Sequence, residues 1–134
     1  MMRSRGMLQS HEGWHLVLRA VSRLSDLGAL ITTFNDMQTE GIEPILSTYH
    51  LIIDSLLASE HRRNITNVAF PLWRMIVQDY PRVQPDVDLV NKFIRSCKLS
   101  QYYERAFFFL MAMKDCNLAP NLETFKELLD VREQ

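Results

Sequence analysis

The chain has 134 residues, 47% of them hydrophobic and 23% charged, which supplies one core and argues against two separate domains. The net charge of −1 excludes a general attraction to nucleic acid, so any such contact needs a local group of cations. The apolar runs are shorter than the ~20 residues of a membrane-spanning helix, and we expect no membrane insertion. Cys97 and Cys116 lack a paired spacing and are predicted to be reduced thiols.

Residues 1–10 are predicted to form an N-terminal extension that precedes the folded region. Arg3 and Arg5 lie in this segment, and no acidic residue comes before Glu12. A basic start without acidic residues resembles the end of a transit peptide, which directs a protein to an organelle.

The segment from His11 to His15 matches the pattern H-E-x-x-H, which on a helix presents two imidazoles to zinc and a glutamate to activate water. Three observations argue against zinc: Gly13 is a poor helix former, Trp14 occupies a core position, and no third ligand follows. We therefore predict no metal and no cofactor. The chain also lacks a nucleophile motif and a glycine-rich phosphate loop, so we expect no enzymatic activity.

Apolar residues recur at helical spacing along the chain and predict pairs of helices joined by short turns. Asp26, with Ser25 before it, is predicted to cap the second helix, and Ser47 or Thr48 to cap the third. Pro71 would remove a helical hydrogen bond, so the fourth helix is expected to begin near Phe70 or to bend there.

A pattern returns along the chain at a period of about 35 residues. Met37, Gly41, Pro44 and then Tyr49 are echoed by Met113, Pro120 and Phe125. The period predicts three helix-turn-helix repeats over residues 11–45, 46–86 and 87–121, with a partial fourth repeat or terminal helix over 122–134. The middle repeat is longer, with extra residues around 60–64 and 80–83. The predicted fold is all-α, an α-solenoid of tandem repeats.

Helix pairs that end in Met-x-x-x-Gly-x-x-Pro resemble pentatricopeptide repeats, and the proline-closed ending favours that family over tetratricopeptide repeats. The resemblance is clearest over residues 34–44 and over residues 109–114 with Pro120 and Asn121. Residues 41–53 also resemble pentatricopeptide repeats of the mitochondrial small ribosomal subunit. It implies a non-catalytic protein of organellar RNA metabolism or translation, in the mitochondrion or alternatively the plastid. Its implied partners are single-stranded or ribosomal RNA and the protein subunits of a ribonucleoprotein assembly.

In the family that the chain resembles, an RNA base is read by the polar residue after an early aromatic, together with the residue that closes the repeat. The corresponding pairs here are His15 with Ile45, His50 with Asp86, and Asn91 with Asn121. Of these, Asn91 with Asn121 resembles a working pair, of the kind that favours pyrimidines. Ile45 has no hydrogen-bonding side chain, so base reading is expected to be degenerate.

Cations on the predicted first helices form what we call the basic strip: Arg19, Arg23, Lys92, Arg95 and Lys98. Their spacings near i,i+3 and i,i+4 place each set along one helix face. If that face lines the concave side of the repeats, the strip can hold a phosphate backbone without reading bases. The alternative is that these are ordinary solvated charges.

Trp73 and Phe108 fall outside the predicted core faces of their helices, and Phe107, Phe108 and Phe109 cannot all point inward. These aromatic residues are either buried against an adjacent repeat or anchor a protein contact. Two functions therefore stay open. The chain is an RNA-associated subunit of a ribonucleoprotein assembly such as the mitochondrial ribosome, or a scaffold that contacts proteins without binding RNA directly.

Overall fold

A computed structural model describes residues 10–24, 26–59 and 65–132. Within these ranges the chain forms seven α-helices and no strand, and the predicted all-α helical-repeat fold is confirmed. The helices are α1 (His11–Ser22), α2 (Leu27–Thr39), α3 (Leu46–Ala58), α4 (Ile65–Asp79), α5 (Val87–Leu99), α6 (Tyr103–Asp115) and α7 (Leu122–Arg132).

The chain divides into two compact units, one up to Ser55 and one from Leu56 onward, and the division falls inside α3. The repeat boundaries at residues 45, 86 and 121 stay predictions. Residues 1–9, which include Arg3 and Arg5, lie outside the described residues, as do Ser25 and the predicted insertion at 60–64.

Side chains that accept backbone hydrogen bonds begin several helices. The predicted cap by Asp26 is confirmed, since its carboxylate accepts a hydrogen bond from the Ala29 N–H at 3.0 Å. Asp86 caps α5 in the same way, by accepting from the Leu89 N–H at 2.8 Å.

The start of α3 differs from the prediction that Ser47 or Thr48 caps it. The helix begins at Leu46, so both residues lie inside its first turn. The Thr48 hydroxyl instead accepts a hydrogen bond from the Ile45 N–H at 3.0 Å, reaching back to the residue that precedes the helix.

The recurring Met-x-x-x-Gly pattern is explained by how α2 and α6 end. Gly41 adopts a left-handed φ of 86°, and the Ile42 N–H donates to the Met37 carbonyl at 3.1 Å. Asn117, with φ 59°, ends α6 in the same way, because the N–H of the next residue donates to the Met113 carbonyl at 2.8 Å. Glycine and asparagine tolerate this conformation best, which is why they occupy the equivalent positions.

One of the two predictions for Pro71, that α4 begins near Phe70, is wrong. The helix begins at Ile65 and contains Pro71 in its second turn. Apolar burial on both sides of the proline, at Ala69 and Leu72, outweighs the hydrogen bond that the proline ring removes.

The first unit has a core of apolar side chains from α1, α2 and the beginning of α3. Its buried residues include Trp14, Leu18, Leu30, Phe34, Met37 and Tyr49. The rings of Phe34 and Tyr49 meet edge to face with centroids 6.3 Å apart, which joins α2 to α3.

An aromatic cluster of Phe70, Trp73, Phe93 and Phe109 forms the centre of the second unit. The centroids of Trp73 and Phe93 each lie within 5.4 Å of the Phe109 ring, and the Phe70 centroid lies 5.6 Å from it. Phe109 is 1% exposed, so the ring that all three partners share is fully buried. The cluster holds α4, α5 and α6 together.

Helix α7 buries one face and leaves the other exposed. Leu128 is buried, whereas Leu122, Phe125 and Leu129 are all more than half exposed. The exposed residues lie at helical spacing and form a single apolar face.

Phe109→Ala is expected to lower the free energy of unfolding by about 3–5 kcal/mol, because it empties the centre of the aromatic cluster. Phe108→Ala is the matched control, since the neighbouring ring is 51% exposed, and is expected to cost about 1 kcal/mol or less. Urea unfolding followed by circular dichroism measures both. Equal losses would contradict the central place of Phe109.

Candidate nucleic-acid and protein interfaces

The predicted reading pair, Asn91 and Asn121, is brought together, but its polar atoms bond to protein. The Asn91 Nδ2 donates to Asn121 Oδ1 at 3.1 Å, and the Thr124 hydroxyl donates to Asn91 Oδ1 at 2.6 Å. Asn121 also exchanges hydrogen bonds with Thr124, whose N–H donates to its side chain at 3.0 Å. Asn91 is 2% exposed. The side chain predicted to read a base is therefore a buried link between α5 and the start of α7.

The first unit contains the same arrangement with a histidine in place of the asparagine. His15 Nε2 shares a hydrogen bond of 2.7 Å with the Thr48 hydroxyl. The two partners are 33 residues apart, as are Asn91 and Thr124. In both units the residue that closes the repeat donates its N–H to the same threonine hydroxyl, at 3.0 and 3.1 Å. We call this the threonine link.

The threonine link was missed in the sequence analysis, although a signal for it exists. Thr48 and Thr124 are each the third residue of a helix. Each lies 33 residues after its polar partner, which is His15 for Thr48 and Asn91 for Thr124. Leu89 takes this place in α5, where no hydroxyl is available. His50 is half-buried on α3, and its predicted partner Asp86 caps α5.

Thr124→Val is expected to destabilise the protein by about 1–3 kcal/mol, because it removes the hydroxyl that satisfies the buried Asn91 side chain without changing shape. Thr39→Val is the control, since the exposed Thr39 hydroxyl bonds within its own helix, and should change stability by about 0.5 kcal/mol or less. Urea denaturation measures both variants. If Thr124→Val matches its control, the link does not stabilise the second unit.

Both imidazoles of the H-E-x-x-H pattern have protein partners. The pattern lies on α1, despite Gly13, and the ring centroids of His11 and His15 are 6.2 Å apart. His11 Nε2 lies 2.7 Å from the Glu43 carbonyl, and His15 Nε2 bonds Thr48. Among the residues that the structure describes, no group of three His, Cys, Asp or Glu side chains is placed to hold a metal ion.

Burial lowers the pKa of His15 below its usual 6.5, and the nearby His11 and Arg19 lower this pKa further. The unfolded chain therefore takes up a proton on His15 at a higher pH than the folded chain does. The stability that neutral His15 contributes is complete above pH 6.5 and is lost as the pH falls through the lower, folded pKa.

His15→Asn is expected to reduce the loss of stability between pH 7.5 and pH 5, because asparagine can bond Thr48 as Asn91 bonds Thr124 but does not titrate. Urea midpoints at several pH values measure the slope for both proteins. His15→Leu is the control, which also cannot titrate but lacks the hydrogen bond, and should be less stable than His15→Asn at pH 7.5. An unchanged slope in His15→Asn would contradict the role given to His15.

The part of the basic strip that lies on α5 is neutralised by carboxylates. The ion pairs are Lys92 with Asp88 at 3.5 Å, Arg95 with Glu123 at 3.3 Å and with Glu127 at 3.5 Å, and Lys98 with Glu127 at 3.1 Å. The Glu127 side chain is only 8% exposed and lies between two cations. Three positive and three negative charges therefore cancel on this surface.

The remaining strip residues, Arg19 and Arg23, are exposed and belong to the first unit. Arg19 lies in the last turn of α1, and Arg23 is the residue that ends this helix. Both therefore present guanidinium groups to solvent at one helix end.

Trp73 is part of the core, although it falls outside the core face that was predicted for its helix. It is 4% exposed, and its ring contacts Phe93 and Phe109 at 5.3 Å. Of the two alternatives for Trp73, burial against neighbouring helices is therefore correct, because α5 and α6 cover this side of α4, which the periodicity of one helix cannot reveal. Phe107 and Phe108 are 40% and 51% exposed, so Phe109 alone of the three consecutive rings is buried.

An apolar groove of about 250 Å³ runs between α4 and α6, within the second unit. We call it the α4–α6 groove; its lining residues are Trp73, Val77, Tyr80, Phe108, Met111, Ala112, Asp115 and Cys116. Tyr80 and Met111 were missed in the sequence analysis. The sequence signal for them was a pair of apolar residues spaced three apart, Val77 with Tyr80 and Phe108 with Met111. Each pair lies outside the helix face that was predicted to pack in the core.

Paired helices with repeated helix ends define a helical-repeat protein of the helix-turn-helix type. Residues 76–132 match the family model of the pentatricopeptide repeat domain, so this segment of the chain is similar to pentatricopeptide repeats. The match contains α5, α6 and α7 and confirms the resemblance. No curated protein sequence matches the chain. Among the described residues, no helix is long and apolar enough to cross a membrane.

Proposed function

We propose that this chain is a non-catalytic adaptor subunit of an organellar ribonucleoprotein assembly, held there mainly by protein contacts. The mitochondrial ribosome is one such assembly, and the plastid is the alternative location. The family supports an association with RNA metabolism. The arrangement of side chains supports protein contacts rather than direct reading of RNA.

The observation that carries this proposal is the engagement of the RNA-facing candidates by the protein itself. Asn91 is buried in the threonine link, and a base that bonded it would have to break the 2.6 Å bond from Thr124. Arg95 and Lys98 are bound to Glu123 and Glu127, so the free energy of phosphate binding would have to exceed that of existing ion pairs.

Exposed apolar side chains also support the proposed adaptor function. Phe108 and Met111 are 51% and 60% exposed and line the α4–α6 groove. Adjacent exposed aromatic and methionine side chains are typical of protein interfaces.

The purified chain is expected to bind unstructured single-stranded RNA weakly, and Arg95→Ala with Lys98→Ala should leave that affinity nearly unchanged. Replacing Glu123 and Glu127 by Gln should instead strengthen binding, because it releases the two cations while keeping side-chain shape. The dependence of log K on log salt should steepen by about 0.7 for each phosphate that a released cation neutralises. Fluorescence anisotropy at several salt concentrations measures both effects.

Two results would contradict the adaptor proposal. One is that replacing Arg95 and Lys98 lowers the affinity equally for unrelated RNAs and makes the salt dependence of binding shallower than in the wild type. The other is release of the chain from its native assembly by ribonuclease alone. Either would favour the strip as a true backbone contact.

A second candidate function is direct contact with an RNA backbone through Arg19 and Arg23. The exposure of both guanidinium groups at the end of α1 favours it. Replacing both by Ala in the same assay distinguishes the candidates, since a backbone contact predicts uniform weakening across sequences.

A further inference from the structure

We propose that the α4–α6 groove binds an amphipathic helix from a protein partner, and that this helix carries a lysine or arginine that reaches Asp115. The inference rests on the adaptor function and specifies the chemistry of the partner.

The shape and composition of the groove fit a helix with one apolar face. Trp73 and Ala112 are nearly buried and form its bottom, whereas Val77, Phe108 and Met111 are all at least half exposed along its sides. Covering these side chains removes apolar surface from water at roughly 25 cal/mol per Å². A groove between two helices is the surface into which the i, i+3 and i+7 side chains of a third helix pack.

The charge at one end of the groove selects a cation. Asp115 is exposed there and is the last residue of α6. Tyr80, which follows the last residue of α4, lines the same groove. Helix C-termini carry partial negative charge, so the carboxylate and these helix ends act together on a bound group. Asp79, at the end of α4, is paired with Arg82, which leaves Asp115 as the charged residue that lines the groove.

The negative charge at one end of the groove argues against RNA as the occupant. A phosphate backbone would bring negative charge to Asp115 and to the C-terminal ends of helices, and both repel it. A basic helix gains from the same charges, and its apolar face gains from the groove.

The test is photo-crosslinking in the native assembly, with a benzophenone amino acid placed at Met111 of the full chain. The expected crosslinked peptide has apolar residues at i, i+3 or i+4, and i+7, with a lysine or arginine beyond one end of that face. The control places the same group at Phe107, which is 40% exposed but does not line the groove, and should not crosslink this peptide.

Charge reversal tests the role of Asp115. Asp115→Lys is expected to lower the crosslink yield about tenfold or more, because it sets like charges against each other at the interface. Reversing the partner's basic residue to Asp should restore the yield. Glu104→Lys makes the same change in charge at an exposed α6 site that does not line the groove, and should leave the yield nearly unchanged.

Cys116 gives a second readout because it lines the groove and is a free thiol. Binding of the partner helix should slow its alkylation several-fold, whereas Asp115→Lys should abolish that protection. Circular dichroism of each variant checks that the fold is retained.

Crosslinks from Met111 to RNA, to a second copy of the chain or to a peptide without a basic residue would overturn the inference, as would no crosslink. If the chain nevertheless stays in its assembly after ribonuclease treatment, the adaptor function stands and the groove assignment fails. If ribonuclease releases the chain, the adaptor function itself fails.

Discussion

The short length of the helices is the constraint on which this structure depends. The longest helix of the described part of the chain has 15 residues, and helices of this length are marginal in water. Each must bury a face against a neighbour to be stable. Within the second unit, Phe109 meets this need by contacting rings from α4 and α5 at once. Such stacking is what allows a repeated sequence of modest hydrophobicity to form a core within a unit.

Buried polar side chains determine which parts of the packed helices meet. A buried hydroxyl at Thr48 or Thr124 joins the closing residue of one repeat to a first helix that lies 33 residues earlier. An unmade hydrogen bond at a buried site is costly, so the link fixes how consecutive first helices meet. The same link uses the atoms that would otherwise hydrogen-bond a base. The predicted base contact of Asn91 would therefore require breaking the link.

The electrostatics of the second unit follow a similar logic. Glu127 lies nearly buried between Arg95 and Lys98, and this placement joins α5 to α7. Cations used in this way contribute to packing and little to the external field. The α4–α6 groove lies on two helices that contribute none of these ion pairs. That separation supports the proposed adaptor function, in which α4 and α6 contact a protein partner.

The sequence by itself determined the helices, the start of α2 and the ends of α2 and α6, because these depend on local spacing. Met37 and Gly41 recur as Met113 and Asn117, and the left-handed backbone at the end of each helix favours glycine or asparagine. Asp26 was identified as a cap for the same reason. The resemblance to pentatricopeptide repeats followed from these local patterns. Asn91 and Asn121 were also identified as a pair, because the resemblance to pentatricopeptide repeats implied it.

Tertiary structure alone decided what those residues contact. Whether Trp73 is buried depends on two other helices, and whether Arg95 is available for RNA depends on a carboxylate 28 residues away. Thr124 bonds Asn91 because α7 packs on α5, which the periodicity of either helix does not reveal. Periodicity specifies which face of a helix is apolar. It does not specify which neighbour covers that face, or which charges meet across the contact.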